Sequence, residues 1–185
     1  MTTLTIFADD AVPRELRSLD DHTQIARELR ALDVDLRQWP IKSSVTAGAA
    51  PEQVLAAYAD DIAALQAEYG FASVDVVSMG PDHPARAEAR QKFLSEHTHA
   101  DYEMRFFVAG AGMFYLRQDD CVYMLLCTAG DLISVPAGTT HWFDMSEAPS
   151  FTAIRFFTTP DGWVAEFTGD SVATRYPPMT PLSAT

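Results

Sequence analysis

Basic residues are scarce in this sequence. Thirteen lysines and arginines stand against 26 aspartates and glutamates, a formal net charge of -13, and the bases form no cluster. A surface of that sign repels phosphate backbones and anionic headgroups, so neither nucleic acid nor a membrane is expected as a partner. Cysteine is nearly absent as well. Cys121 and Cys127, with five residues between them in strand-like sequence, fit neither a disulfide framework nor a close-spaced zinc motif and read as reduced thiols. No apolar run approaches the roughly 20 residues of a membrane span. No charged start followed by an apolar stretch marks a leader, so a cytoplasmic protein is expected.

What is present is enough for one globular domain, since 185 residues at 48% hydrophobic can bury a sizeable core. Thr3 to Phe7 alternates as a short strand. Asp20 or Asp21 caps a helix carrying Ile25, Leu29, Leu32 and Leu36 at helical spacing, stopped by Pro40. Ala50-Pro51-Glu52 opens a second helix, with Val54, Leu55, Tyr58, Ile62, Leu65 and Tyr69 on one side and Gly70 placed for a left-handed C-terminal cap. Val74 and Val76 read as a strand, and a third helix runs from Pro84 toward Leu94. From His97 the texture becomes strand after strand. Turn signals at Gly110 to Gly112, Gln118 to Asp120, Ala137-Gly138, Glu147 to Pro149 and Pro160 to Gly162 separate them. The expected class is therefore mainly β, a jelly-roll barrel with N-terminal helices. Residues 1–170 form the single domain, with helical additions over 20–94 and the barrel core over 95–170. The segment 171–185, carrying Pro177, Pro178 and Pro181, reads as a surface strap or disordered tail.

Histidine is rare too, yet three of the five fall in two short segments. His97 and His99 open HTHADYE, which ends in Glu103, and His141 sits in VPAGTTHWF. On an unbroken strand positions 97, 99 and 103 share one face. Imidazoles and a carboxylate turned the same way suit Zn, Fe, Ni or Mn, and six-coordination by this set leaves two positions open for a substrate. A structural polar cluster is the competing reading. Arg105 has the same strand parity, so it should face the cavity beside these groups. Arg155 sits in the equally apolar AIRFF. Arginine in such a run needs an anion, supplied either by a substrate or by an internal ion pair.

The two segments resemble the paired signature motifs of the cupin barrel. The first reads His97-x-His99, three residues, Glu103, six residues, Gly110; the second reads Gly130, five residues, Pro136-x-Gly138, two residues, His141. Gln91 stands where the first motif usually has Gly, and Met145 where the second usually has Asn. More narrowly, EMRFFVAGAG, GDLISVPAGTTHWFDM and AIRFFTTPDGWVAEFTG resemble the acireductone dioxygenase family of methionine salvage, from about Phe93 to about Asp170.

That resemblance implies a cupin-type double-stranded β-helix and one Fe(II) or Ni(II) per monomer. The implied reaction is cleavage of acireductone, 1,2-dihydroxy-3-keto-5-methylthiopentene, with O2. The iron form gives 2-keto-4-methylthiobutyrate and formate; the nickel form gives methylthiopropionate, formate and carbon monoxide. It implies that Arg105 favours the substrate dianion, that Phe93, Phe143 and Trp163 line the substrate pocket, and that Glu96 serves metal incorporation; Arg155 joins them as a substrate-binding candidate on its apolar context alone, with less to favour it than Arg105. Tyr102 stands where the family commonly has another acid, which puts any relay through that position in doubt. A cupin isomerase and a non-enzymatic ligand-binding cupin remain alternatives. The isomerase would call for more phosphate-binding bases, and the binding protein could dispense with a cavity arginine.

Overall fold

Alternating apolar side chains along one long strand organise the protein. The computed structural model describes residues 1–42, 45–46, 48–160 and 163–181. In chain order its elements are β1 (Thr3–Ala8), β2 (Arg14–Leu19), α1 (His22–Arg30), β3 (Asp35–Gln38), α2 (Pro51–Ala57), α3 (Ala59–Tyr69), β4 (Ser73–Met79) and α4 (Arg86–Leu94). They continue with β5 (His97–Thr98), β6 (Glu103–Gln118), β7 (Cys121–Thr128), β8 (Asp131–Val135), β9 (Thr140–Asp144), β10 (Phe151–Phe157) and β11 (Glu166–Phe167). All strand pairings are antiparallel.

The N-terminal half of β6 pairs with β10 and β8, and its C-terminal half with β7 and β9. One strand thus belongs to both layers of the barrel. The expected chain break at Gly110 to Gly112 is absent. Gly110 instead adopts φ 69 inside the strand, and a Cβ there would lie 1.8 Å from the Ser150 carbonyl oxygen, so only glycine lets the two backbones meet at this bend. The remaining described turns fall where the sequence places them. Asp161 and Gly162 of the last turn lie outside the described residues.

Side chains of β6 divide by parity. Glu103, Arg105 and Phe107 face the barrel interior, where Phe107, Phe114, Ile133, Phe143 and Phe151 form one buried cluster. Met104, Phe106 and Val108 face outward under Tyr58, Ile62 and Leu65 of the helical layer. Burying an aromatic or aliphatic side chain contributes about 1.5–3 kcal/mol, so these two faces supply most of the driving force. The C-terminal segment is more ordered than its composition suggests. From a 3-10 turn over Val172–Arg175, Val172 and Tyr176 pack with Tyr115 and Trp142, the Tyr115 hydroxyl donates to the Pro177 carbonyl, and the buried Met179 donates its backbone N–H to Asp144.

Two helix expectations are corrected. The first helix begins at the Asp21 cap, as read, but ends at Arg30, and Leu36 lies on β3. Asp33, at φ 59, turns the chain out of the helix, so Leu36 follows strand and not helix geometry. The second helix is two, α2 and α3, broken at Tyr58, a buried residue whose hydroxyl accepts from the Lys42 backbone N–H. Gly70 caps α3 in the left-handed conformation, as its position predicts. Both cysteines are free thiols, Cys127 buried and Cys121 partly so. Among the described residues no helix is long and apolar enough to cross a membrane.

Candidate metal centre

The strand expected through His97, His99 and Glu103 is interrupted. β5 covers only His97 and Thr98, and β6 starts afresh at Glu103. The residues converge nonetheless, because β5 lies against β9, where His97 is the register partner of His141. The 99–102 crossing is pinned by the Gly138 N–H donating to the His99 carbonyl at 2.8 Å. Strand parity does not account for this convergence. Sheet pairing brings the side chains together.

Potential ligand atoms of His97, His99 and His141 lie within 4.8 Å of one another, and all three residues are buried. Each Nδ1 sits beside a backbone carbonyl: Ser95 at 2.6 Å for His97, Val164 at 3.1 Å for His99 and Thr139 at 2.8 Å for His141. A carbonyl only accepts, so the proton resides on Nδ1 and Nε2 of each neutral ring is left with a lone pair. Two of those nitrogens, on His99 and His141, lie 3.2 Å from Glu103 Oε2. With the rings neutral, acceptor faces acceptor across a buried gap, and either a second proton on an imidazole or a metal cation between them satisfies it. Three imidazoles and one carboxylate are a donor set that a divalent transition metal fits.

The electrostatics support this. Burial, reinforced by the neighbouring His141 and His99, lowers the His97 pKa to about 4, so this ring stays neutral at neutral pH. Burial opposes protonation of His99, but the bond to Glu103 and its charge outweigh it and raise that pKa, so metal and proton compete there. Burial likewise opposes ionisation of Glu103. The Arg105 guanidinium and the bonds to His141 and His99 prevail and hold the carboxyl well below the usual range. Arg105 Nη2 donates to Glu103 Oε1 at 2.8 Å, while its Nε, also buried, has no hydrogen-bond partner. Its guanidinium lies over Phe143 at 4.5 Å, Phe114 at 5.1 Å and Trp163 at 5.6 Å from the ring centroids. An aromatic cage around a charge with one unspent donor holds the cation ready for an anionic ligand.

These groups open on a cavity of about 120 Å³. Phe93, Phe143, Trp163, Arg105 and Arg155 line it, as the sequence reading expected of them. Arg155 is also ion-paired, donating to Asp75 at 2.8 and 2.6 Å, so both of its readings hold at once. Glu96 and Tyr102 do not reach the cavity. Glu96 is buried behind the site, taking bonds from Arg117 and Thr168. Tyr102 is 52% exposed and contributes its backbone carbonyl to the Trp163 indole N–H. Lys92, Ala165 and Phe167 line the cavity without having been singled out. Lys92 could have been found from its place beside Phe93, and Phe167 from the period-two reading of WVAEF.

Residues 3–165 match the ARD/ARD' family. A Synechococcus sp. acireductone dioxygenase is 50% identical over 178 residues, covering 96% of this chain and 98% of the relative. That of Parvibaculum lavamentivorans is 52% identical over 177 residues, 96% of each. Among solved structures, the acireductone dioxygenase from Bacillus anthracis with a cadmium ion in its active centre superposes with a TM-score of 0.79 at 27% identity, covering 90% of this chain and 98% of that one.

Proposed function

This chain belongs to the ARD/ARD' family, and we propose that it is a metal-dependent dioxygenase of methionine salvage that cleaves acireductone with O2. The observation carrying this reading is the acceptor-to-acceptor approach of Glu103 to His99 and His141 beside the caged Arg105. His97, His99, Glu103 and His141 would hold Fe(II) or Ni(II), one per chain. The bound metal supplies a Lewis-acidic centre with open positions that polarises and orients the substrate oxygens.

The chain's own residues do the rest. Each backbone carbonyl behind a histidine fixes its tautomer and aims Nε2. Arg105 meets the negative charge of the enediolate inside a cavity whose aromatic walls exclude water, where a fixed cation acts more strongly than in bulk solvent. Phe93 and Phe143, whose rings meet edge to face at 6.0 Å, offer an apolar wall suited to the methylthio end of the substrate. Arg155, held by Asp75, stacks on Trp163 at 5.6 Å and keeps that indole over the cavity.

The test is product identity. Protein stripped of metal and loaded with Fe(II) should yield 2-keto-4-methylthiobutyrate and formate. The same protein loaded with Ni(II) should yield methylthiopropionate, formate and carbon monoxide. Identical products from both forms would overturn the proposal that the metal selects the outcome.

A further inference from the structure

Three cationic side chains line the candidate cavity, and two of them are already engaged. Arg105 serves Glu103 and Arg155 serves Asp75. The third is Lys92, an exposed residue in the last turn of α4, next to Phe93. Among the described residues it has no ion-pair partner. Glu88 and Glu96, each four positions away, are the nearest acids in sequence; neither makes an ion pair with it, and Glu96 is taken by Arg117 and Thr168. The sequence has only one other lysine, Lys42, and that one is bound to Asp61 at 2.6 Å and to the Ala57 carbonyl at 2.7 Å.

We propose that Lys92 is a specificity-determining residue that captures and orients small organic anions at the mouth of this cavity. With respect to acireductone as the ligand, it rests on the dioxygenase reading above. A protein of net charge -13 repels an enediolate over most of its surface. An uncompensated cation at the rim reverses that field where the substrate must enter. Rim charges act on encounter and ground-state binding more than on the chemical step, so Lys92 governs KM while Arg105, deeper in the cavity, governs turnover. The competing role is structural, because a lysine in a last helical turn complements the carbonyl end of the helix. That role is indifferent to the charge of a ligand.

The experiment has two arms on the full-length, metal-loaded chain. In the first, Lys92→Met should raise KM for acireductone about threefold at low ionic strength. It should also flatten the salt dependence of kcat/KM, and Lys92→Arg should restore both. In the second, lysine acetylation is followed by peptide mass spectrometry, which reads Lys92 and Lys42 separately. Methylthiopropionate should slow acetylation of Lys92 and leave Lys42 unchanged, whereas its neutral methyl ester should protect neither. A wild-type KM and salt response in Lys92→Met, or equal protection by anion and ester, would overturn the proposal. The labelling arm needs no turnover. Protection of Lys92 in a protein that does not consume acireductone would therefore sink the dioxygenase reading while upholding anion capture.

Discussion

Replacing His141 by alanine is expected to strip most of the metal from the protein and leave the barrel standing. The residue is 2% exposed, and its Nε2 lies 3.2 Å from Glu103 Oε2. Its loss removes one of four inward donors, and no neighbouring side chain replaces it. Loss of a partner that merely orients a ligand already costs about 10- to 100-fold in metal affinity, so loss of a ligand should cost at least about a hundredfold. The fold should survive, because Glu103 keeps His99 and Arg105 and the strand pairing of β9 with β6 involves backbone only. Competition with a chromophoric chelator, read beside circular dichroism, checks both halves. Full occupancy in the folded variant would remove His141 from the ligand set.

Arg105 should behave in the opposite way. Arg105→Met keeps the aliphatic stem among Phe143, Phe114 and Trp163 but removes the charge. Turnover of the metal-saturated variant should fall about 10²- to 10³-fold, the range for losing one preorganised electrostatic contact to developing charge, while metal affinity falls by no more than the about 10- to 100-fold expected when Glu103 loses an orienting partner. Either variant leaves Glu103 without its buried partner, a stability penalty of about 3–5 kcal/mol. Alanine adds the cost of a cavity, which the methionine variant avoids. Steady-state kinetics and metal content measured on the same sample decide the matter, and wild-type kinetics would leave Arg105 a purely structural role.

The legible parts of this fold were those whose signal is local. Asp21, Pro51 and Gly70 mark helix ends through capping chemistry that depends on a few neighbouring residues. Leu36 reads as helical because its spacing continues the helical period, while the left-handed Asp33 that ends the helix leaves no compositional trace. β2 is not legible in the sequence because RELRSL is almost wholly exposed and carries no alternation to read; its strand character comes from pairing with β1. The strap over 172–179 reads as a tail because Pro177, Pro178 and Pro181 break the i, i+4, i+7 spacing that its anchors Val172, Tyr176 and Met179 otherwise keep.

The site was more legible than the path that builds it. His97, His99, Glu103 and His141 stood out because few residue types bind metals and these cluster in two segments. Sequence alone gave no sign that β5 stops after Thr98, and the convergence depends on sheet register 44 positions away, where His97 meets His141. The carbonyls of Ser95, Thr139 and Val164 were invisible for a plainer reason. Every residue has a carbonyl, and only the fold says which one meets an imidazole.

Oxygen uptake with synthetic acireductone tests the central claim most directly. The same protein preparation is assayed after removal of metal by a chelator and again after reloading with Fe(II). A metal-dependent acireductone dioxygenase should leave the uncatalysed rate unchanged when stripped and consume oxygen far faster when reloaded. No acceleration by the reloaded protein would contradict the account.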